Sequence, residues 1–286
     1  MASTLEIRKR VRSVNNTAKI THAMELVAAA KMKKAQYLAS AGKPYSELVN
    51  KVLRRIADKI NPELHPLLAR VSGNTSAIIF FSTDRGLAGP LNTNLVKEAA
   101  NFAGNLRFVT IGRKAKNYAI KGSQELVADF SLSEKPTIDN VRSIAKLAID
   151  GFLSGEFDQV HVLYTEFIST LRQEAKIRQL LPIIDEAVLA ELTKEAQVQD
   201  INEPLFEPSA DSVLEAILPQ YILMQLYQIL LEAKASEHSA RMVAMKNATD
   251  NALELVDDLT LEYNGIRQAT ITSEILDITT AQLALE

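Results

Sequence analysis

From Ala248 to Leu283 the chain steps by four and three residues through an unbroken series of positions. They are Ala248, Ala252, Leu255, Leu259, Glu262, Ile266, Ala269, Ser273, Leu276, Thr280 and Leu283, most of them small or aliphatic. The stretch has no proline, and its one glycine is Gly265. A repeat sustained this long predicts a coiled-coil seam rather than one face of a compact bundle. Ser212 and Glu215 have capping-box spacing and mark the helix start. At ~1.5 Å per residue the helix would be roughly 100 Å long. A chain of 286 residues cannot enclose such a helix. A second long element must lie along it.

The amino-terminal region offers one. Ser3 and Glu6 repeat the capping-box spacing, and Ile7, Val11, Val14 and Ala18 follow the same rhythm. The pattern then shifts phase to Ala23, Val27 and Ala30 and runs on through Leu38, Leu48, Val52 and Ile56. Gly42 and Pro44 predict an interruption or kink. The first helix carries Arg8, Lys9, Arg10, Arg12, Lys19, Lys31, Lys33 and Lys34, the last Asp250, Glu254, Asp257, Asp258, Glu262, Glu274 and Asp277. Opposite charge on two long helices predicts an antiparallel coiled coil that closes one terminus onto the other. Each exposed pair contributes only a few tenths of a kcal/mol, so charge selects the partner and its direction more than it stabilises.

Between the helices the period changes. Ser76–Phe81 is almost wholly apolar, as in a strand buried on both faces. Phe108–Ile111, Glu125–Ala128, Gln159–Tyr164 and Lys176–Leu181 read as further strands, the last as an edge. Helices are expected over about Thr93–Phe102, Lys114–Lys121 and Ile138–Leu153. Alternation of this kind means an open α/β sheet. The expected architecture is therefore α/β plus a long antiparallel coiled coil, with an open Rossmann-like domain inserted between paired terminal helices. The expected divisions are residues 1–60, 74–207 and 209–286, with Pro219 kinking the last helix near its start.

Composition removes several classes of function. The net charge of −3 gives no global case for nucleic acid or an anionic membrane. The absence of cysteine removes disulfides and thiolate metal sites. No apolar run reaches ~18 residues and no signal-peptide core opens the chain, so a cytosolic protein that meets membranes only through partners is expected. Histidines 22, 65, 161 and 238 have no metal-binding spacing. Thr83–Gly89 lies just past a strand, where α/β folds place ligands, yet it is neither G-x-G-x-x-G nor a P-loop. Two glycines permit a tight turn there, and Asp84 could cap the next helix or pair with Arg85. The basic run Lys31–Lys34 lacks the aromatic interleaving of a nucleic-acid site, and a solvated face or a surface read by a protein fits it better. Ala23, Ala28, Ala29, Ala30, Ala240, Ala244 and Ala248 would let two backbones approach closely. Methionines 24, 32, 224, 242 and 245 lie along the same rod as core filler or adaptable contacts. These features leave open a static coiled-coil tether and a small α/β enzyme with a helical arm.

Val14–Gln36 (VNNTAKITHAMELVAAAKMKKAQ) resembles the amino-terminal helix of the γ subunit of F-type ATP synthases. Ser82–Asn92 is similar to that family's loop after the first strand, and Ser236–Asp250 and Tyr263–Glu274 to its carboxyl-terminal helix. The resemblance covers the whole chain in order. The chain departs from it at Ala281-Gln282, where the family usually has Gly-Ala, and it lacks the cysteine-bearing insert of thiol-regulated plastid forms.

The resemblance implies a central rotor shaft within a hexamer of α and β subunits. Its foot would sit beside the ε subunit and the membrane ring of c subunits, on the cytoplasmic face of the cell membrane. It implies no catalytic residue, no cofactor, no metal and no nucleic-acid partner. Lys19 and Met24, with the basic Lys31, Lys33 and Lys34, would face the hexamer, and Arg241, Arg267, Gln268, Thr272 and Glu274 would meet its inner surface. Leu205, Phe206 and Glu207 would touch the c ring.

Overall fold

The computed structural model describes residues 4–57, 65–69, 73, 75–102, 104–131, 137–183, 207 and 209–283. Its elements are α1 (Thr4–Ala57), β1 (Thr75–Phe81), α2 (Leu91–Asn101), β2 (Asn105–Ile111), α3 (Arg113–Lys121), β3 (Glu125–Phe130), α4 (Ile138–Leu153), β4 (Gln159–Phe167), β5 (Gln173–Leu181) and α5 (Ala210–Leu283). The helices continue through Pro44 and Pro219. A proline removes one backbone bond at a cost of ~3 kcal/mol, which around Pro219 the burial of Leu214, Leu218 and Ile222 outweighs. The start of α5 is also earlier than expected. Ser209, not Ser212, accepts the Ser212 amide on its hydroxyl at 3.2 Å and the Val213 amide on its carbonyl at 3.2 Å.

The chain forms two compact units, one of Met1–Ala29 with Arg241–Glu286 and one of Ala30–Ala240. The second unit is built on a five-stranded sheet of order β3-β2-β1-β4-β5. Its first four strands are parallel, and β5 is antiparallel to β4. Both faces are covered, which is why β1 could be written as a continuous apolar run. Ala77, Ile79 and Phe81 pack with α4 and α5 through Val141, Ile144, Ala148, Leu218, Ile222 and Leu226. Ile78 and Phe80 face α2 and α3 through Leu91, Leu95, Ala115 and Ala119. One 18-residue window of α5 has the length and composition to cross a membrane. Ile222, Leu226, Ile229 and Leu230 are nonetheless at most 2% exposed, packed in the sheet's own core.

In the first unit α1 meets α5 where Thr21 Oγ1 and Thr249 Oγ1 lie 2.7 Å apart. The start of α1 shares this unit with the part of α5 that follows Thr249, so within it numbering falls on α5 as it rises on α1 and the helices run antiparallel. Counting from Thr21 back to Thr4, and equally far forward from Thr249, brings the start of α1 level with Ile266. That register corrects the expected seam. Ala248, Ala252, Leu259 and Ile266 are buried or half-buried, but Leu255 and Glu262 are exposed and Val256 and Tyr263 take their place. From Arg267 to Thr280 every residue is exposed, beyond the level of Thr4, the first described residue of α1.

On α1 the expected phase shift does not occur. Ala23, Val27 and Ala30 are exposed, and the buried or half-buried line runs Ile7, Val11, Val14, Ala18, Thr21, Ala28, Met32 and Ala35. A polar residue, Thr21, keeps the phase by finding a hydroxyl opposite it, which an apolar count passes over. Arg8, Lys9, Arg10, Arg12 and, on α5, Asp250, Glu254, Asp257, Asp258 and Glu262 are exposed, so the opposite charges lie outside the seam.

Candidate functional site

The ligand-shaped place in such a fold is the carboxyl edge of the parallel strands. Here the loop after β1 fills it with its own groups. Ser82 Oγ accepts the Ala115 amide at 2.7 Å, the Thr83 carbonyl accepts Lys114 at 3.2 Å, and Asp84 Oδ1 accepts Arg113 at 3.1 Å. Three consecutive residues thus take up three amides at the start of α3, and the Asp84 carboxylate sits on the positive end of that helix. Asp84 therefore caps the helix after β2 rather than α2. The Thr83 hydroxyl donates to the Arg85 carbonyl at 2.7 Å, and Asn92 Nδ2 donates to Thr83 Oγ1 at 2.9 Å.

Gly112 makes this approach possible. Its φ is +93°, and a Cβ there would lie 2.5 Å from the Ser82 carbonyl oxygen. The cavity beside the loop, lined by Phe81, Thr83, Asp84, Thr165, Lys234 and Glu237, measures about 20 Å³. That holds a water or so and no nucleotide.

The histidines sit in separate surroundings. His161 is buried against Phe102, ring centroids 4.8 Å apart, and burial lowers its pKa. His65 Nδ1 accepts the Leu67 amide at 3.2 Å, and His22 sits 3.2 Å from Glu25. Among the described residues no group of His, Asp and Glu could hold a metal ion.

A polar cluster that spacing did not reveal lies where α5 crosses β4 and β5. Burial raises the pKa of Glu232, and the charge of Glu166 adds to the shift, against the hydrogen bond from Gln228 and the charges of Arg178 and Lys176. Burial likewise raises that of Tyr164, with Glu232 and Glu166 contributing. A carboxyl whose pKa is higher folded than unfolded adds stability below its unfolded value, and loses it as pH rises through the folded value. Glu232→Gln should therefore gain in melting temperature relative to the parent as pH climbs from about 4.5 to neutrality. Thermal unfolding of both proteins across that range checks this, and a variant that becomes less stable at neutral pH would mean that Arg178 holds the carboxylate ionised.

The residues singled out for partner contact fall into two groups. Lys19, Lys33 and Lys34 are exposed on α1, and Met24 is half-buried. Lys31 and Arg241 are half-buried and interact with neighbouring groups. Arg267, Gln268, Thr272 and Glu274 all lie on the uncovered end of α5, where the Arg267 guanidinium stands 6.0 Å over the Tyr263 ring and the Thr272 hydroxyl donates to the Gln268 carbonyl. Glu207 is exposed, whereas Leu205 and Phe206 fall outside the described residues. Methionines 32 and 245 are buried and so act as core.

A family model described as ATP synthase matches residues 3–285. An ATP synthase gamma chain of Opitutus terrae is 46% identical over 292 residues, covering 99% of each chain. One from Roseiflexus castenholzii is 42% identical over 300 residues, covering 100% of this chain and 99% of the relative. Among solved structures, a chain from the rotor of the Euglena gracilis mitochondrial ATP synthase superposes with a TM-score of 0.66 at 17% identity, covering 94% of this chain and 98% of that one. A chain from the central stalk and c-ring structure of the Tetrahymena thermophila enzyme gives a TM-score of 0.58 at 22% identity, over 80% of this chain and 99% of that one.

Proposed function

The chain belongs to the ATP synthase gamma chain family, and from that premise we propose that it is the central rotor shaft of an F-type ATP synthase. It couples ion flow through the c ring to the cycling of the catalytic β subunits, in synthesis or hydrolysis. The observation that carries this reading is the end of α5. Ile271, Ile275, Leu276 and Ile278 are 47%, 55%, 59% and 66% exposed on a helix that has outrun its partner. So much apolar surface on a single helix calls for a sheath, and a ring of α and β subunits provides one.

Arg267, Gln268, Thr272 and Glu274 then meet the inner surface of the hexamer, with Lys19, Met24, Lys31, Lys33, Lys34 and Arg241 lower on the shaft. The Rossmann-like region, residues 74–207, is the foot between helices 1–60 and 209–286. Leu205, Phe206 and Glu207 bear on the c ring beside ε, and the whole lies peripherally on the cytoplasmic face of the cell membrane. The chain contributes no catalytic group. It presents different faces to three sites in turn, and each site's equilibrium follows the contacts it receives.

The test is co-purification together with nucleotide binding. Tagged in its own cell, the chain should arrive with α, β, ε and c subunits, and the isolated chain should not bind ATP. Asp84→Ala should cost the isolated chain only a helix cap, about 1 kcal/mol. Tight nucleotide binding by the chain alone, lost in Asp84→Ala, would favour the small-enzyme reading instead.

A further inference from the structure

We propose that Ser236 and Ser239 are positioning residues that key α5 to the sheet, so that torque delivered to the sheet reaches the helix without slip. The proposal rests on the rotor reading and adds to it the place where the foot grips the shaft. Ser236 Oγ donates to the Thr165 carbonyl of β4 at 3.0 Å, and Ser239 Oγ donates to the Thr170 carbonyl in the β4–β5 turn at 2.8 Å. Gln173 Nε2, at the start of β5, donates in turn to Ser239 Oγ at 3.4 Å. Both serines are 0% exposed. Spaced by three, they lie on one face of the helix.

Hydroxyls on a helix ordinarily turn back to their own backbone. Thr249, Thr260, Thr270 and Thr272 of α5 do this, each donating to the carbonyl four residues earlier. Ser236 and Ser239 instead reach across to the sheet. Beside them Lys234 and Glu237 pair at 3.0 Å with only 15% and 9% of their side chains exposed.

Closer to its start, α5 meets the sheet through Ile222, Leu226, Ile229 and Leu230. Aliphatic contact resists separation but has no direction. Hydroxyl bonds do. A roll of about 20° moves an atom roughly 4 Å from the helix axis by about 1.4 Å, which breaks a hydrogen bond. The serines therefore fix the angle that the aliphatic stripe leaves to shape alone.

The experiment uses the complete synthase in membrane vesicles, with the double variant Ser236→Ala/Ser239→Ala. Hydrolysis with the gradient collapsed by an uncoupler should be retained. Hydrolysis unaccompanied by pumping, measured against an opposing membrane potential, should rise about five- to tenfold, the equilibrium factor of a neutral hydrogen bond. Unchanged coupling under load would overturn the proposal, whatever happens to the melting temperature.

A second variant, Ser239→Cys/Thr170→Cys oxidised to a disulfide, keeps the joint closed and decides the matter if the alanine complex fails to assemble. A keyed joint should turn over and pump normally with the crosslink formed. Loss of turnover would mean that α5 must swivel on the sheet, and the proposal would fall. Failure of the rotor reading would be seen separately, in a crosslink of the shaft to a β subunit with both serines in place.

Discussion

A disulfide between position 33 of this chain and a cysteine on the facing β subunit should bring turnover of the assembled synthase close to zero. Reduction should restore it. The chain has no cysteine, so a thiol introduced by Lys33→Cys is this subunit's only one. Lys33 is exposed on α1, beside Met32, which is buried. A tether there holds a helix already packed along its neighbouring turns, and the shaft cannot move past it without breaking that packing. A tether at Leu276 should behave differently. That residue is exposed on the stretch of α5 that runs past Thr4, the first described residue of α1. A single helix can swivel or unwind at its end at small cost, so the upper crosslink should inhibit less than the lower one. A static tether would tolerate both. Full activity with the lower crosslink quantitatively formed would end the rotor assignment.

Ile7→Asp and Leu259→Asp should each destabilise the paired helices by about 3 kcal/mol or more, the transfer loss of the side chain plus the cost of an unpaired buried charge. Ile7 is 1% exposed and Leu259 is 9%. At Leu259 the new carboxylate would also stand near Asp257, Asp258 and Glu262. Leu5→Asp and Leu255→Asp are the matched controls, since these leucines are 62% and 46% exposed. They should stay within about 0.5 kcal/mol. Denaturant unfolding of the isolated chain, followed by helical circular dichroism, separates the two pairs. A loss at Leu255 equal to that at Leu259 would mean that the four-three series read from sequence, with Leu255 in the seam, describes the helix better than the Thr21–Thr249 register does.

Leu255 and Glu262 show where a one-dimensional reading stops. Spacing by four and three defines a stripe only to within a position, because Leu255 and Val256 are both apolar neighbours on the helix. The partner helix chooses between them, and its choice is fixed by contacts such as Thr21 with Thr249 that no apolar count includes. Ser236 and Ser239 were legible as letters of a familiar motif, yet nothing in the motif says that their hydroxyls leave the helix. Their acceptors are carbonyls of residues about seventy positions earlier.

The sequence by itself determined the elements and their kind. The apolar run Ser76–Phe81 read as a strand covered on both faces, and a helix as long as the one ending at Leu283 called for a second long element along it. Local periodicity and propensity act over a few residues, and a sequence displays them directly. The full-length resemblance likewise needed only the order of residues.

Tertiary structure alone decided the register of α1 on α5, and with it the point near Ile266 where α5 outruns its partner. It also decided that Ser82, Thr83 and Asp84 spend their polar groups on the start of α3. The physical reason is common to both. A hydrogen bond or a buried contact between residues far apart in the chain depends on where two surfaces meet, and that meeting is set by the packing of the whole unit rather than by any stretch of it.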